Sequence, residues 1–84
     1  MPVVCYHVIM IEGDVPLNRG DVVRHDAGLT YRIDGVRLDT TGYEETHAIG
    51  RAVLYTQLED GELPAGTEYV KNEIGFRRHF TLVD

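Results

Sequence analysis

The sequence predicts one mainly β domain, residues 1–84, in which five or six short strands form a small, partly open barrel. The nine glycines are spread almost evenly, a spacing typical of short strands separated by turns. Several segments between them alternate apolar and polar residues, as half-buried strands do. At 84 residues the chain has room for a single domain.

The first predicted strand, Val3 to Ile11, is apolar on both faces. Its even positions are all apolar, and His7 is the one polar residue at its odd positions. So short a chain can hardly cover both faces of a strand, and one face is therefore expected to contact a second copy. The residues predicted to form this homodimer interface are Val4, Tyr6, Val8 and Met10.

A strand is predicted from Asp21 to His25, followed by a turn at 26–28. The next segment, Leu29 to Leu38, carries apolar residues at odd positions up to Ile33 and at even positions from residue 36 onward. Two structures would explain this change of parity, a two-residue hairpin turn at Asp34-Gly35 or a β-bulge within one long strand. The hairpin would set two arginines opposite each other, which favours the bulge.

The segment from Thr41 to Gly61 is ambiguous. Its first residues match a helical capping box, and a helix at about 43–60 packed on an antiparallel sheet would make the fold α+β. However, Gly50 interrupts that helix, and Ala52 to Leu58 also has the alternation of a strand. These local signals leave both alternatives open.

The C-terminal part of the sequence is predicted to contain a turn and two strands. The turn is at 63–66, where Pro and Gly occur together. The first strand covers Thr67 to Lys71. The final strand covers Phe76 to Val83, and the residues expected to face inward are Phe76, Phe80 and Leu82.

A resemblance supports the β interpretation. The run GDVVRHDAGLTYRIDGV, followed by VLYTQLEDG and a late FRRHF, is similar to a family of short bacterial domains of unknown function. The similarity spans Gly20 to Phe80. It implies an SH3-like, partly open barrel and favours a strand for Ala48 to Leu58. It implies no activity, because none is assigned to that family.

The charge and cysteine content indicate a cytoplasmic protein that does not bind membranes. The net charge of −6, from 14 acidic and 8 basic residues, repels anionic lipid and nucleic acid at long range. Cys5 is the only cysteine, whereas secreted domains of this size usually carry several disulfides. No targeting signal is evident, so a cytoplasmic location is expected.

The chemistry-bearing residues predict neither an enzyme nor a cofactor. Cys5 and His7 could bind a metal, and other possible ligands are His25, Asp26, His47 and His79. A Cys-x-His pair, however, lacks the second element of a zinc motif. Cys5 also lies among apolar residues, where its thiolate is disfavoured. The sequence contains no serine. We therefore predict no catalytic residues, no metal site and no cofactor.

The predicted function is that of a non-enzymatic protein-binding or scaffold module that recognises a protein segment or associates with itself. The alternative is a barrel that binds single-stranded nucleic acid by stacking bases on Tyr31, Tyr55 and Tyr69 beside a basic rim. The residues predicted for that binding surface are Arg24, Arg32, Arg77 and Arg78. The net negative charge favours the protein partner. A small enzyme is the third and weakest alternative.

Overall fold

The computed structural model describes Ile11 and residues 15–83 of the chain. The elements in chain order are β1 (Val22–His25), β2 (Thr30–Asp39), α1 (Tyr43–Thr46), β3 (Gly50–Gln57), β4 (Glu68–Asn72), α2 (Glu73–His79) and β5 (Phe80–Leu82). The five strands form one open antiparallel sheet in the order β4-β3-β2-β1-β5. The prediction of a mainly β fold with five or six strands is confirmed.

β1 and β2 form a hairpin around the turn that the sequence predicted at 26–28. Gly28 has a φ of 105°, a left-handed conformation that costs glycine little and other residues more. The backbone N–H of Gly28 donates to the carbonyl of His25 at 2.8 Å, which closes the turn. The chain then returns along β1 with Tyr31 opposite Val23 in the core.

β2 is one long strand with a β-bulge, and the hairpin alternative at Asp34-Gly35 is therefore wrong. Its register with β3 shifts between Ile33, which lies opposite Tyr55, and Gly35, which lies opposite Leu54. The extra residue at 34 moves the following side chains by one position. Val36 consequently packs against the same core as Ile33, which is the physical reason for the change of parity.

The helix considered at 43–60 is wrong, and the strand favoured by the resemblance is present. α1 is one short turn of four residues, and β3 begins at Gly50. The run from Val53 to Tyr55 places both of these side chains in the core, where β-branched and aromatic residues pack well on a sheet. The capping box expected from Thr41 is not formed, since the N-cap of α1 is Gly42 and no side chain caps that helix.

The predicted final strand from Phe76 to Val83 is wrong in its first half. Residues Glu73–His79 form α2, and only Phe80–Leu82 pair as β5. Asn72 begins the helix because its side-chain oxygen accepts the backbone N–H groups of Ile74 and Gly75. Of the residues predicted to face inward, Phe76 and Phe80 are buried in the core, and Leu82 is partly buried against it.

The core lies on one face of the sheet, under α2. Its buried apolar residues are Ile11, Val23, Tyr31, Ile33, Val53, Tyr55, Phe76 and Phe80. Aromatic rings dominate it. Phe76 stacks on Phe80 with centroids 4.1 Å apart, and Tyr55 meets both of these rings edge-on at 5.2 Å.

The residues predicted as a dimer interface, Val4, Tyr6, Val8 and Met10, lie outside the described residues. Of the predicted first strand, Ile11 is described, and it is 4% exposed within the core. Of the two helices among the described residues, neither has the length and apolar character needed to cross a membrane.

Candidate functional site

The outer edge of β4 is the candidate site. β4 pairs with β3 along its whole length and is the last strand of the sheet on that side. Among the described residues, no strand pairs with its other side. An edge strand presents unpaired backbone N–H and C=O groups, which are a template for pairing with another chain.

The backbone groups that point outward can be identified from the ladder. Gln57 donates its backbone N–H to the carbonyl of Thr67 at 2.9 Å. Hydrogen-bonded and non-hydrogen-bonded pairs alternate along an antiparallel ladder. Tyr69 and Lys71 therefore direct their N–H and C=O groups towards β3. Glu68 and Val70 direct theirs away from the sheet.

Asn72 directs only one of its two backbone groups outward. The alternation directs its N–H away from β3. Its carbonyl, however, belongs to the first turn of α2, since Asn72 is the residue that caps that helix. The edge therefore offers the donors and acceptors of Glu68 and Val70, and one more donor from Asn72.

An apolar surface accompanies these outward backbone groups. Val70 is 65% exposed, and it lies directly opposite Leu54 of β3 on the sheet face away from α2. A shallow groove of about 380 Å³ runs beside this pair towards β2, lined by Leu38 and Ala52 together with polar residues that include Arg37 and Asn72. Backbone groups at an edge give affinity to an added strand, and pockets beside the edge accept its alternate side chains.

β4 is held in place by Tyr69 and Gln57 on the core face. The Tyr69 hydroxyl donates to the side-chain carbonyl of Gln57 at 2.7 Å, and the Tyr69 ring stacks on Tyr55 at 5.3 Å. Gln57 is 2% exposed, and its side-chain amide donates to the carbonyls of Glu59 and Leu63. A buried amide with all these partners fixes both β4 and the loop that precedes it.

The tyrosines beside β4 are structural rather than acid–base groups at neutral pH. Burial, together with the neighbouring Tyr31 and Tyr69, raises the pKa of Tyr55 to about 12. Burial also raises the pKa of Tyr31 above its usual value of 10.0, with further contributions from Tyr69 and Glu59. Both hydroxyls therefore stay protonated, and these rings contribute packing.

The structure brings two of the four predicted binding arginines together. Arg24 and Arg32 are exposed on neighbouring strands, on the sheet face opposite the core. Arg32 pairs with Asp34 at 3.0 Å, and Asp34 also accepts the hydroxyl of Thr56. Burial alone would raise the pKa of Asp34, but these two partners outweigh it and lower the pKa.

The other two predicted binding residues lie on α2, which packs against the core face. Arg77 is mostly buried and pairs with Glu73 of the same helix at 3.3 Å. Arg78 is exposed. Because α2 covers the face opposite to Arg24 and Arg32, the four arginines do not form one basic surface. The tyrosines proposed for base stacking belong to the aromatic core instead.

The histidines considered as metal ligands have other partners. Nδ1 of His79 lies 2.9 Å from a carboxylate oxygen of Asp26, and Nδ1 of His25 accepts the backbone N–H of Ala27. His47 lies beyond α1 at the far end of the β2–β3 connection. The described residues contain no group of three potential metal ligands. Cys5 and His7 lie outside the described residues.

Sequence reasoning predicted β4 as a strand but missed its edge position. The apolar Val70 has the opposite parity to Tyr69, which packs against the core, but this pattern does not specify that the strand lies at an edge of the sheet.

Comparison of the chain with family models, with curated proteins and with solved structures gives no match.

Proposed function

We propose that this protein is a non-enzymatic protein-binding module that accepts an extended polypeptide segment along the edge of β4. The observation that carries the proposal is the outward direction of the Glu68 and Val70 backbone groups beside an exposed apolar side chain. Such an edge binds by adding a strand, with the backbone supplying hydrogen bonds and alternate side chains supplying specificity.

The anchoring of β4 supports this function. A strand that is ordered before binding costs less entropy to pair than one that must first be ordered. Tyr69 and Gln57 hold β4 from the core side without using its outward backbone groups. The edge is therefore a preorganised template.

Two observations favour a protein ligand over single-stranded nucleic acid. Arg77 and Arg78 lie on the other side of the sheet from Arg24 and Arg32, and the rings of Tyr31 and Tyr55 are buried in the core. A groove in which Arg32 meets Tyr55 and Tyr69 is also lined by the acidic residues Asp34 and Glu68. Binding of single strands needs both features on one surface. The net charge of −6 acts in the same direction.

The proposal also covers the fold family and the cellular location. We infer an SH3-like domain of the cytoplasm, related to the short bacterial family that the sequence resembles. Two features support the SH3-like fold: the first described strand pairs with the last, and a short helix immediately precedes the last strand. The single cysteine supports a reducing compartment.

A peptide selection tests the binding function. A library of displayed random peptides is selected on the immobilised protein, and the selected peptides are added to the free protein while amide exchange is followed. We expect slower exchange at Glu68, Val70 and Asn72. We expect binding to be lost in Val70→Pro, which removes one outward donor and no β3 hydrogen bond.

Two results would count against the function. One is that selected peptides protect other parts of the chain and bind Val70→Pro as tightly as the parent protein. The other is that they bind Arg78→Ala, a control on the opposite side of the sheet, much more weakly than the parent.

A further inference from the structure

We propose that the segment accepted by β4 is β4 of a second copy of this chain, in an antiparallel arrangement with Val70 opposite Val70. This inference rests on the proposed function, because it names the occupant of the same edge. It predicts a twofold-symmetric dimer in which the two five-stranded sheets become one continuous sheet.

The backbone geometry of β4 suits this pairing. Val70 directs both its N–H and its C=O outward, so two Val70 residues related by a twofold axis can exchange both hydrogen bonds. On either side of the axis, the N–H of Asn72 meets the outward carbonyl of Glu68. No group that β4 already uses towards β3 or α2 has to be released.

The side chains of β4 are complementary to themselves in this register. Glu68 lies opposite Asn72, and Tyr69 lies opposite Lys71, so that no two like charges face each other. In a parallel arrangement in register, Glu68 would face Glu68 and Lys71 would face Lys71. The charges of the strand therefore select the antiparallel arrangement.

Neighbouring antiparallel registers are less favourable. A shift by one residue would place the core face of one copy beside the outer face of the other, so the alternatives are shifts by two. In one direction, such a shift sets Lys71 against Lys71. In the other direction, it sets Glu68 against Val70 and leaves Asn72 beyond the end of the partner strand.

The pairing also covers the exposed apolar residue of the edge. Val70 and Leu54 lie side by side on the outer face, and the twofold axis would extend this pair into a row of four apolar side chains across the two copies. The charge of −6 on each copy opposes association at long range. Added salt screens that repulsion, so the dimer is expected to tighten as ionic strength rises.

Sedimentation equilibrium over a concentration series tests the dimer. We expect a monomer–dimer equilibrium for the parent chain. Val70→Pro is expected to raise the dissociation constant by at least about tenfold, because each copy loses a donor at the twofold axis. The control Val70→Thr keeps the backbone N–H and the β-branched shape, and it should remain a dimer.

A cysteine crosslink tests the register. In a Cys5→Ala background, Val70→Cys should form a disulfide-linked dimer on mild oxidation, because the two Cα atoms would lie within the span of a disulfide. Glu68→Cys in the same background should not, because the two copies of residue 68 lie far apart on either side of the axis. Efficient crosslinking at 68 and not at 70 would overturn the inference.

The outcomes separate this inference from the proposed function. The protein could be a strict monomer at every concentration while selected peptides protect β4. That result would refute the β4–β4 dimer and leave the proposed binding function intact. A dimer that Val70→Pro leaves unchanged would refute the β4 interface. A strict monomer whose β4 is protected by no peptide would refute both.

Discussion

The two edges of the sheet are built differently. β5 is three residues long, and its first residue, Phe80, is 2% exposed and stacks on Phe76 of α2. β4 is five residues long, and its central residue, Val70, is 65% exposed. One edge thus belongs to the core, whereas the other carries an apolar side chain into solvent.

Their backbone groups differ in the same way. Val83 donates to the carbonyl of Val22, so the alternation directs the groups of Phe80 and Leu82 outward from β5. The N–H of Phe80 already donates to the carbonyl of Phe76 at the end of α2. β5 thus offers a partner the carbonyl of Phe80 and the two groups of Leu82, which is fewer than β4 offers.

A strand at the end of a sheet is therefore not a binding edge by its position alone. A helix that runs directly into β5 uses one of its donors and keeps the strand short, which is one way in which proteins protect an edge. β4 instead comes before α2, and the outward groups of Glu68 and Val70 lie before the point where the strand meets the helix. The strand before α2 therefore keeps its outward groups, whereas the strand after α2 loses one of its donors to the helix.

The largest effect is expected at the anchor of β5. Phe76→Ala removes the ring that stacks on Phe80 and should destabilise the domain by about 3–5 kcal/mol. β5 should lose amide protection before β4 does, because the lost ring lies between α2 and β5. Urea unfolding and amide exchange measure both. Ile74→Ala, an exposed position on the same helix, should change the stability by less than about 0.5 kcal/mol.

A smaller loss is expected at the anchor of β4. Tyr69→Phe keeps the ring but removes the hydroxyl that donates to Gln57, leaving a buried acceptor without that partner. We expect a loss of about 1–3 kcal/mol in unfolding free energy, with faster exchange in β4 and the preceding loop. Tyr43→Phe, at an exposed site, is the matched control. Equal effects of the two substitutions would contradict the anchoring role of Tyr69.

A loss of about 1 kcal/mol is expected at the junction of β4 and α2. Asn72→Ala removes the side-chain oxygen that accepts two backbone N–H groups at the start of the helix. Thermal unfolding should show the loss, and Asn18→Ala, an exposed asparagine elsewhere, should not. If α2 keeps its amide protection in Asn72→Ala, the capping interaction does not determine where the strand ends.

The smallest effect at neutral pH concerns Tyr55, whose ring supports both edges. Its folded pKa of about 12 exceeds the usual value of 10.0, so its contribution to stability is complete below pH 10 and is lost as the pH rises towards 12. Urea unfolding between pH 8 and pH 12 should show this decline. Tyr55→Phe should reduce this decline, leaving the part that Tyr31 contributes through its own raised pKa, and an unchanged decline would contradict the burial of the Tyr55 hydroxyl.

The sequence determined much of the fold through local patterns. The parity change after Ile33 predicted the bulge, because the side-chain period of two is a property of a single strand. The second half of the chain shows the limit of such patterns. Phe76 and Phe80 would share one face of a strand, but a spacing of four also places two residues on one side of a helix. The structure combines the two, since α2 begins after the cap at Asn72, includes Phe76 and ends one residue before Phe80, where β5 begins.

The candidate site was less predictable than the fold. The strand from Thr67 to Lys71 was recognised, but its edge position depends on which strands pair, and no pattern within those residues specifies this. The arginines were chosen for their charge and their expected strand positions, and for Arg77 and Arg78 the expected strand is a helix. Arg77 pairs with Glu73 within α2, and helix spacing allows such a pair only once the helix is known.

Residue-resolved amide exchange in a dilute solution of the monomer tests the central claim most directly, since that claim is the outward direction of the β4 backbone. The account predicts an alternation, with slow exchange at Tyr69 and Lys71 and fast exchange at Val70 between them. Protection at Val70 equal to that of its two neighbours would contradict the account, because the edge would then already be covered.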